Sequence, residues 1–320
     1  MSRRIGILGA SHIAELAIVE PAQELGHRMV AVAARDSGRA HAFAEKYGVE
    51  RVLATYDDVI NDPEVDVIYN PLANALHAPW NLVAVAAGKP VLTEKPFASN
   101  RAEAQRVAEA ADAAGVTVME GFHYLFHPVT RRALELAGDG TLGDLIHIEA
   151  RMAMPTPDAD DPRWSLELAG GALMDLGCYG LHVMRQFGHP SIVRGNAEER
   201  SPGVDAWCDV DLAFPGGATG LSTNSMVADD YTFTLRIVGT TGDALAHNFV
   251  KPHDDDRLTI NTTAGTTVEH LGTRPSYTYQ LEAFAAHVLD GEPLPLDSAD
   301  AVENMAYIDA AYRAAGMSPR

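Results

Sequence analysis

Ile5-Gly6-Ile7-Leu8-Gly9-Ala10-Ser11-His12-Ile13-Ala14 is the stretch whose reading decides the fold. Ile5 to Leu8 is a short apolar run of buried-strand type, and a glycine follows it at once. The spacing is that of a dinucleotide-binding turn, with Ser11 and Ala14 at the second and third glycine positions. Gly9 supplies the tight turn, Ser11 is small enough for close backbone approach to a pyrophosphate, and Ala14 lets the next helix pack on the sheet. Ala10, Ser11, His12 and Ile13 then belong to the cofactor-binding set, with the phosphates on the helix N-terminus.

The pattern continues outward from this turn. Met29–Ala34, Val65–Tyr69, Val91–Thr93 and Thr117–Glu120 read as strands, with helices predicted over 37–47, about 77–87 and 100–115 between them. Ser37 is the expected N-cap of the first of these helices, and Asn100 with Glu103 resembles a capping box. Strands alternating with helices imply a doubly wound parallel sheet. The end of the second strand bears on the cofactor. It reads Ala33-Ala34-Arg35-Asp36, with Arg39 one helical turn on. Arg35 there suits a 2′-phosphate, and Ala34 puts no carboxylate against it, so NADP is expected rather than NAD. Further on, Val91-Leu92-Thr93 runs into Glu94-Lys95-Pro96. A lysine at the carboxyl end of a strand faces the ligand crevice of such a sheet, and the proline holds its backbone extended.

At 320 residues the chain exceeds a typical single domain, and two are expected. Its 47% hydrophobic content supplies cores for both, and its formal charge of −20 argues against nucleic-acid and anionic-membrane partners. Cys178 and Cys208 form no disulfide framework and no metal spacing, which suits a reducing cytoplasm. Met1-Ser2-Arg3-Arg4 leads directly into a strand pattern rather than a secretory leader. No apolar run approaches the ~20 residues that span a bilayer.

With Gly9–Ala14, Ala34-Arg35 and Glu94-Lys95-Pro96 in view, the chain resembles the glucose-fructose oxidoreductase / inositol dehydrogenase / MocA family. Asn70-Pro71-Leu72-Ala73-Asn74-Ala75-Leu76-His77-Ala78-Pro79-Trp80 is similar to that family's loop beside the nicotinamide ribose, and Glu120-Gly121-Phe122-His123-Tyr124-Leu125-Phe126-His127-Pro128 to its crossing into a second domain. The resemblance implies a Rossmann domain (1–121) followed by a substrate-binding and dimerisation α+β domain (122–320) with an open, largely antiparallel sheet. It implies hydride transfer between a nicotinamide and sugars or related alcohols, a homodimer through the C-terminal sheet, and often a cis bond at Lys95–Pro96. It also places Pro71, Leu72, Asn74 and His77 beside the cofactor and His123 beside the substrate.

In the second domain Leu145–Met154 alternates as a strand, and 191–200, 204–214, 218–227 and 231–239 do the same, with Pro215-Gly216-Gly217 as a hairpin signal. Thr241-Gly242-Asp243 reads as a turn, two shorter strands follow, and helices are predicted over 276–289 and 298–315. Within 168–182, read as a helix, Asp175, Tyr179 and His182 share one face. Many family members carry Asp-x-Gly-x-His-x-x-Asp here. Tyr179 takes the histidine's place, which resembles the tyrosine-dependent branch with xylose dehydrogenase and dimeric dihydrodiol dehydrogenase. Tyr179 is then the expected acid/base. A phenol, with an ordinary pKa near ~10, needs a helper, and Lys95 is the expected one. Asp175 would orient the lysine or bind a substrate hydroxyl, His182 would bond a sugar hydroxyl, Glu94 would lie on the cofactor side, and Trp164 would wall the nicotinamide pocket. No metal is expected. The alternatives are a nucleotide-sugar ketoreductase, a dihydrodiol dehydrogenase, and a non-catalytic dinucleotide-binding regulator.

Overall fold

The computed structural model describes residues 3–320; Met1 and Ser2, read above as the head of the first domain, lie outside them. The chain divides into two compact units: one holds residues up to Phe122 together with Tyr277–Met305, the other His123–Ser276 and Ala306–Arg320. A single cut after residue 121 misses this return. The returning helix is anchored in the first unit by specific contacts. Tyr277 is 4% exposed, Thr278 Oγ1 donates to Glu24 Oε2 at 3.2 Å, and His287 Nε2 lies 3.0 Å from Thr117 Oγ1.

In the first unit β1 (Arg4–Leu8), β2 (Arg28–Ala33), β3 (Val67–Asn70), β4 (Val91–Thr93) and β5 (Val118–Glu120) form one parallel sheet in the order β2-β1-β3-β4-β5. The chain moves outward from β1 to β2 and then returns past it to β3. That reversal opens the ligand crevice of a doubly wound sheet at the carboxyl ends of β1 and β3. Gly9, Ala34-Arg35, Pro71-Leu72, Glu94-Lys95 and Gly121 all follow strand ends. Ile5, Ile7, Leu8, Val30–Ala33, Ile68, Tyr69, Val91 and Leu92 are at most 1% exposed, as expected of strands covered on both faces.

The helix after the Gly9 turn carries a π-helical stretch, Glu15–Val19, just ahead of Pro21. Proline has no N–H and crowds the carbonyl four residues back, and a widened turn is one way to absorb it. Helix Ser37–Tyr47 is capped by Asp36, which accepts from Arg39 N at 3.0 Å, rather than by Ser37. Asn100 caps Arg101–Ala114 as expected, but the Glu103 side chain accepts from Ser99 N at 3.2 Å. The helix Tyr56–Asn61, closed by a Thr55–Asp58 capping box, went unread in the sequence.

In the second unit eight strands form one sheet: β6 (Leu145–Pro155), β7 (Ser191–Ser201), β8 (Val204–Ala213), β9 (Thr219–Ala228), β10 (Thr232–Gly239), β11 (Gly242–Ala246), β12 (Arg257–Thr262) and β13 (Gly265–His270). Their order is β13-β12-β11-β10-β6-β9-β8-β7, antiparallel except for β6 against β9. The reading of 241–243 as a turn is corrected here. The turn lies just before Gly242, where Thr241 N donates to Leu142 O at 2.9 Å, and β11 bridges β10 and β12 with Ala244 and Ala246 fully buried. The buried face of the sheet receives a helical segment that is π-helical over Leu173–Gly177 and α-helical over Cys178–Arg185. Gly180 makes this seat possible, since a Cβ there would fall 2.2 Å from Ser222 Oγ on β9. Among the described residues no helix is long and apolar enough to cross a membrane.

Candidate active site

The turn after β1 is built to approach a ligand. Gly9 has φ +92°, its N–H donates to Ala33 O at 2.7 Å, and a Cβ on it would lie 2.9 Å from Leu72 Cδ2. A side chain at Gly9 would therefore meet both an unfavourable backbone region and the Pro71-Leu72 turn. Arg39 closes the turn from outside by donating to Ala10 O at 2.8 Å. The Ser11 hydroxyl is shut off from water with no hydrogen-bond partner. A buried hydroxyl left unmatched costs stability, so its presence at a phosphate-type turn fits a ligand oxygen. His12 is exposed, and Ala10, Ile13 and Ala34 are half-buried. Arg35 is exposed beside them, and Asp36, the carboxylate next to it in the chain, is engaged in capping. The residues of this turn fit a dinucleotide.

A second group of contacts fixes the turns after β3 and β4. His77 is fully buried, with Nδ1 2.7 Å from Pro96 O and Nε2 2.7 Å from Leu72 O. Burial lowers its pKa to about 4, Lys95 adding to the effect against the two carbonyls. The His77 ring ties the Leu72 turn to the Lys95-Pro96 turn, whose peptide bond is cis. Pro71 is buried, while Leu72 and Asn74 are half-buried. Glu94 is 6% exposed, its N–H donates to Asn70 O at 2.9 Å, and its Oε1 accepts from the Tyr69 hydroxyl at 2.9 Å. Burial and the Glu94 charge push the Tyr69 phenol well above its ordinary range, so it stays a donor. Lys95 follows Glu94 and is half-buried.

In the second unit Asp175 and Tyr179 lie on the buried helical segment, 8% and 5% exposed. Tyr179 Oη is 3.3 Å from His123 Nε2, and His123 Nδ1 is 2.8 Å from Ser276 Oγ. His182 Nδ1 is 2.6 Å from the Tyr124 hydroxyl. His123 and His182 are both fully buried, and each ring meets a tyrosine hydroxyl. Asp175 Oδ2 accepts from Arg163 Nε at 2.9 Å, and Arg163 also pairs with Asp161 at 3.0 Å. The two carboxylates, Asp175 first, hold the guanidinium charged. Trp164 is 9% exposed, with the Arg200 guanidinium 4.2 Å above its ring. Sequence reasoning missed Tyr124, Ser276 and the Arg163–Asp175 pair, because none is encoded by local spacing.

Residues 3–122 match the oxidoreductase family with an NAD-binding Rossmann fold, and residues 130–245 match the C-terminal domain of the same family. The chain belongs to the Gfo/Idh/MocA family. Within that family it is 35% identical to a D-xylose 1-dehydrogenase (NADP(+)) of Haloferax volcanii, covering 97% of this chain and 96% of that protein. It is 34% identical to the trans-1,2-dihydrobenzene-1,2-diol dehydrogenase of Mus musculus over 76% of this chain and 74% of the other. Its fold matches a 3-ketoreductase from Actinomadura kijaniata, solved with NADP and TDP-benzene, with a TM-score of 0.91, 27% identity and 98% of each chain covered. The Gfo/Idh/MocA assignment agrees with the expected fold: a parallel Rossmann sheet plus an open, mostly antiparallel one.

Proposed function

We propose that the chain is an NADP-dependent dehydrogenase of an uncharged sugar or polyol, with Tyr179 as acid/base and Lys95 as its helper. The observation that carries this reading is the Tyr179 phenol, nearly buried and within reach of a fully buried imidazole, in an oxidoreductase of this family. When bound, the nicotinamide accepts or donates the hydride at the carbinol carbon. The protein's task is the proton. In oxidation Tyr179, as the phenolate, takes the substrate O–H proton and becomes the phenol; in reduction the phenol gives that proton to the carbonyl oxygen. The positive charge of Lys95 favours the phenolate and alkoxide forms. Asp175, balanced by Arg163, binds a substrate hydroxyl, and Trp164, held under Arg200, shields the reacting face from water. Gly9, Ala10, Ser11, His12 and Ile13 hold the pyrophosphate, Ala34, Arg35 and Arg39 the 2′-phosphate, and Leu72, Asn74 and Glu94 the nicotinamide end.

The state of the arginines favours an uncharged substrate over a nucleotide-sugar. Arg163 is bound to Asp161 and Asp175, and Arg236 lies 3.7 Å from Asp243. Arg151 is in register with Thr223, on the face of the sheet opposite Ser222 and the Tyr179 helix. That opposite face carries Glu149, Trp207 and Asp209 around a shallow concavity, and we assign it to a homodimer contact, testable by sedimentation. The test of function is titration with NADPH and NADH by fluorescence, followed by turnover with aldoses, polyols, trans-diols and a nucleotide-sugar. NADPH preference with turnover of an aldose or polyol supports the proposal. Turnover of the nucleotide-sugar alone refutes the substrate class, and tight NADPH binding with no turnover favours a regulator.

A further inference from the structure

We propose that Arg320 is a positioning residue for Tyr179, acting through a buried clamp at the start of the helical segment. This rests on the reading of Tyr179 as acid/base. Arg320 and Asp205 form an ion pair at 2.7 Å with side chains 2% and 0% exposed. Asp205 Oδ1 also accepts from the Tyr312 hydroxyl at 2.9 Å, and Arg320 lies 4.1 Å over the Tyr312 ring while donating to its hydroxyl at 2.7 Å. The other half of each charged group points at the segment that carries the candidate acid/base. Asp205 Oδ2 accepts from Leu173 N at 2.6 Å, and Arg320 Nε donates to Gly170 O at 2.8 Å.

The clamp thus holds backbone on both sides of Gly171. Gly171 has φ +120°, and a Cβ there would fall 2.1 Å from Asp205 Oδ1 and 2.5 Å from Arg320. Only glycine lets the chain pass this close to the ion pair. From Gly171 the effect divides. Its carbonyl accepts from Asp175 N at 3.0 Å, the bond that starts the helical segment four residues before Tyr179. Its N–H donates to Arg163 O at 2.9 Å, fixing the loop whose guanidinium binds Asp175. One buried pair therefore sets the register of both the Asp175–Tyr179 segment and the Arg163-Trp164 loop. A buried ion pair is a weak source of net stability, but its directional bonds can specify one geometry.

The test compares Arg320→Ala, Arg320→Lys and Tyr312→Phe with the parent protein in steady-state kinetics and NADPH titration. Misplacement of a catalytic group by about 1 Å can cost roughly 10²-fold in rate. Arg320→Ala is therefore expected to lower kcat by about that factor with NADPH affinity unchanged, Arg320→Lys to recover part of it, and methylguanidinium to restore Arg320→Ala. Tyr312→Phe, which keeps both charges, is the variant read if Arg320→Ala does not fold, with an expected loss of about tenfold in kcat. A folded Arg320→Ala that keeps kcat within about twofold, or that loses NADPH affinity in proportion to kcat, overturns the proposal, as does an unchanged Tyr312→Phe where that variant is the one read. Amide hydrogen exchange over 168–179 separates the clamp from the reading of Tyr179. Faster exchange in Arg320→Ala, or in Tyr312→Phe if Arg320→Ala does not fold, supports the clamp even if Tyr179→Phe proves fully active, and unchanged exchange overturns it.

Discussion

His77 should make the first unit acid-labile. Its ring is fully buried between Pro96 O and Leu72 O, and burial places its pKa at about 4, against about 6.5 in an unfolded chain. A neutral imidazole donates to only one of the two carbonyls, but a charged one would sit out of water near Lys95, and the charge is the larger penalty. Between pH 6.5 and 4 the unfolded state therefore binds a proton that the folded state refuses. Stability is complete above pH 6.5, falls as pH drops through that window, and levels off below pH 4. The full loss is on the order of 3 kcal/mol, from 1.36 kcal/mol for each pKa unit. Urea unfolding at half-unit pH steps, followed by Trp80 fluorescence in a background lacking the other tryptophans, measures it. His77→Gln should flatten that slope while lowering stability at pH 7, because two buried carbonyls lose their partner. A slope identical in parent and variant, or a parent that gains stability on acidification, would refute the reasoning. His127 in the second unit is shifted the same way, also to about 4, so only the first unit's slope should respond to the His77 change.

Three further outcomes test the site. Tyr179→Phe should lower kcat by about 10²–10⁴ and leave NADPH affinity intact, as loss of a general acid/base does; unchanged kcat would remove Tyr179 from the mechanism. Arg35→Ala should weaken NADPH binding far more than NADH binding in fluorescence titration, and equal losses would mean that Arg35 does not read the 2′-phosphate. Arg163→Met removes the guanidinium from Asp175 and should lower kcat/KM about tenfold with NADPH affinity retained. A parallel fall in NADPH affinity would place that pair on the cofactor side instead.

The parts legible in the sequence are those whose physics is local. The Gly9 turn, the strand–helix alternation behind it and the Glu94-Lys95-Pro96 stop depend on neighbours within a few residues, and the structure forms each of them. Local competition explains the small misses. Asp36 and Ser37 are both good caps, and the carboxylate captured the Arg39 N–H because it lies one residue closer to the strand end. Gly242 carried a turn signal, yet it begins a strand because Ala244 and Ala246 are fully buried in the second unit's sheet. The partners of the candidate chemistry were not legible, since they come from sequence-distant elements of one unit. His123 reaches Tyr179 across 56 residues, Tyr124 reaches His182 across 58, and Arg320 reaches Asp205 across 115. A polar residue on an apolar helix can be recognised in the sequence, but whether it meets a substrate, an imidazole or a buried arginine is decided by packing. That is why the helical stripe could be read while its partners could not: Tyr179 meets His123, and His182 meets Tyr124.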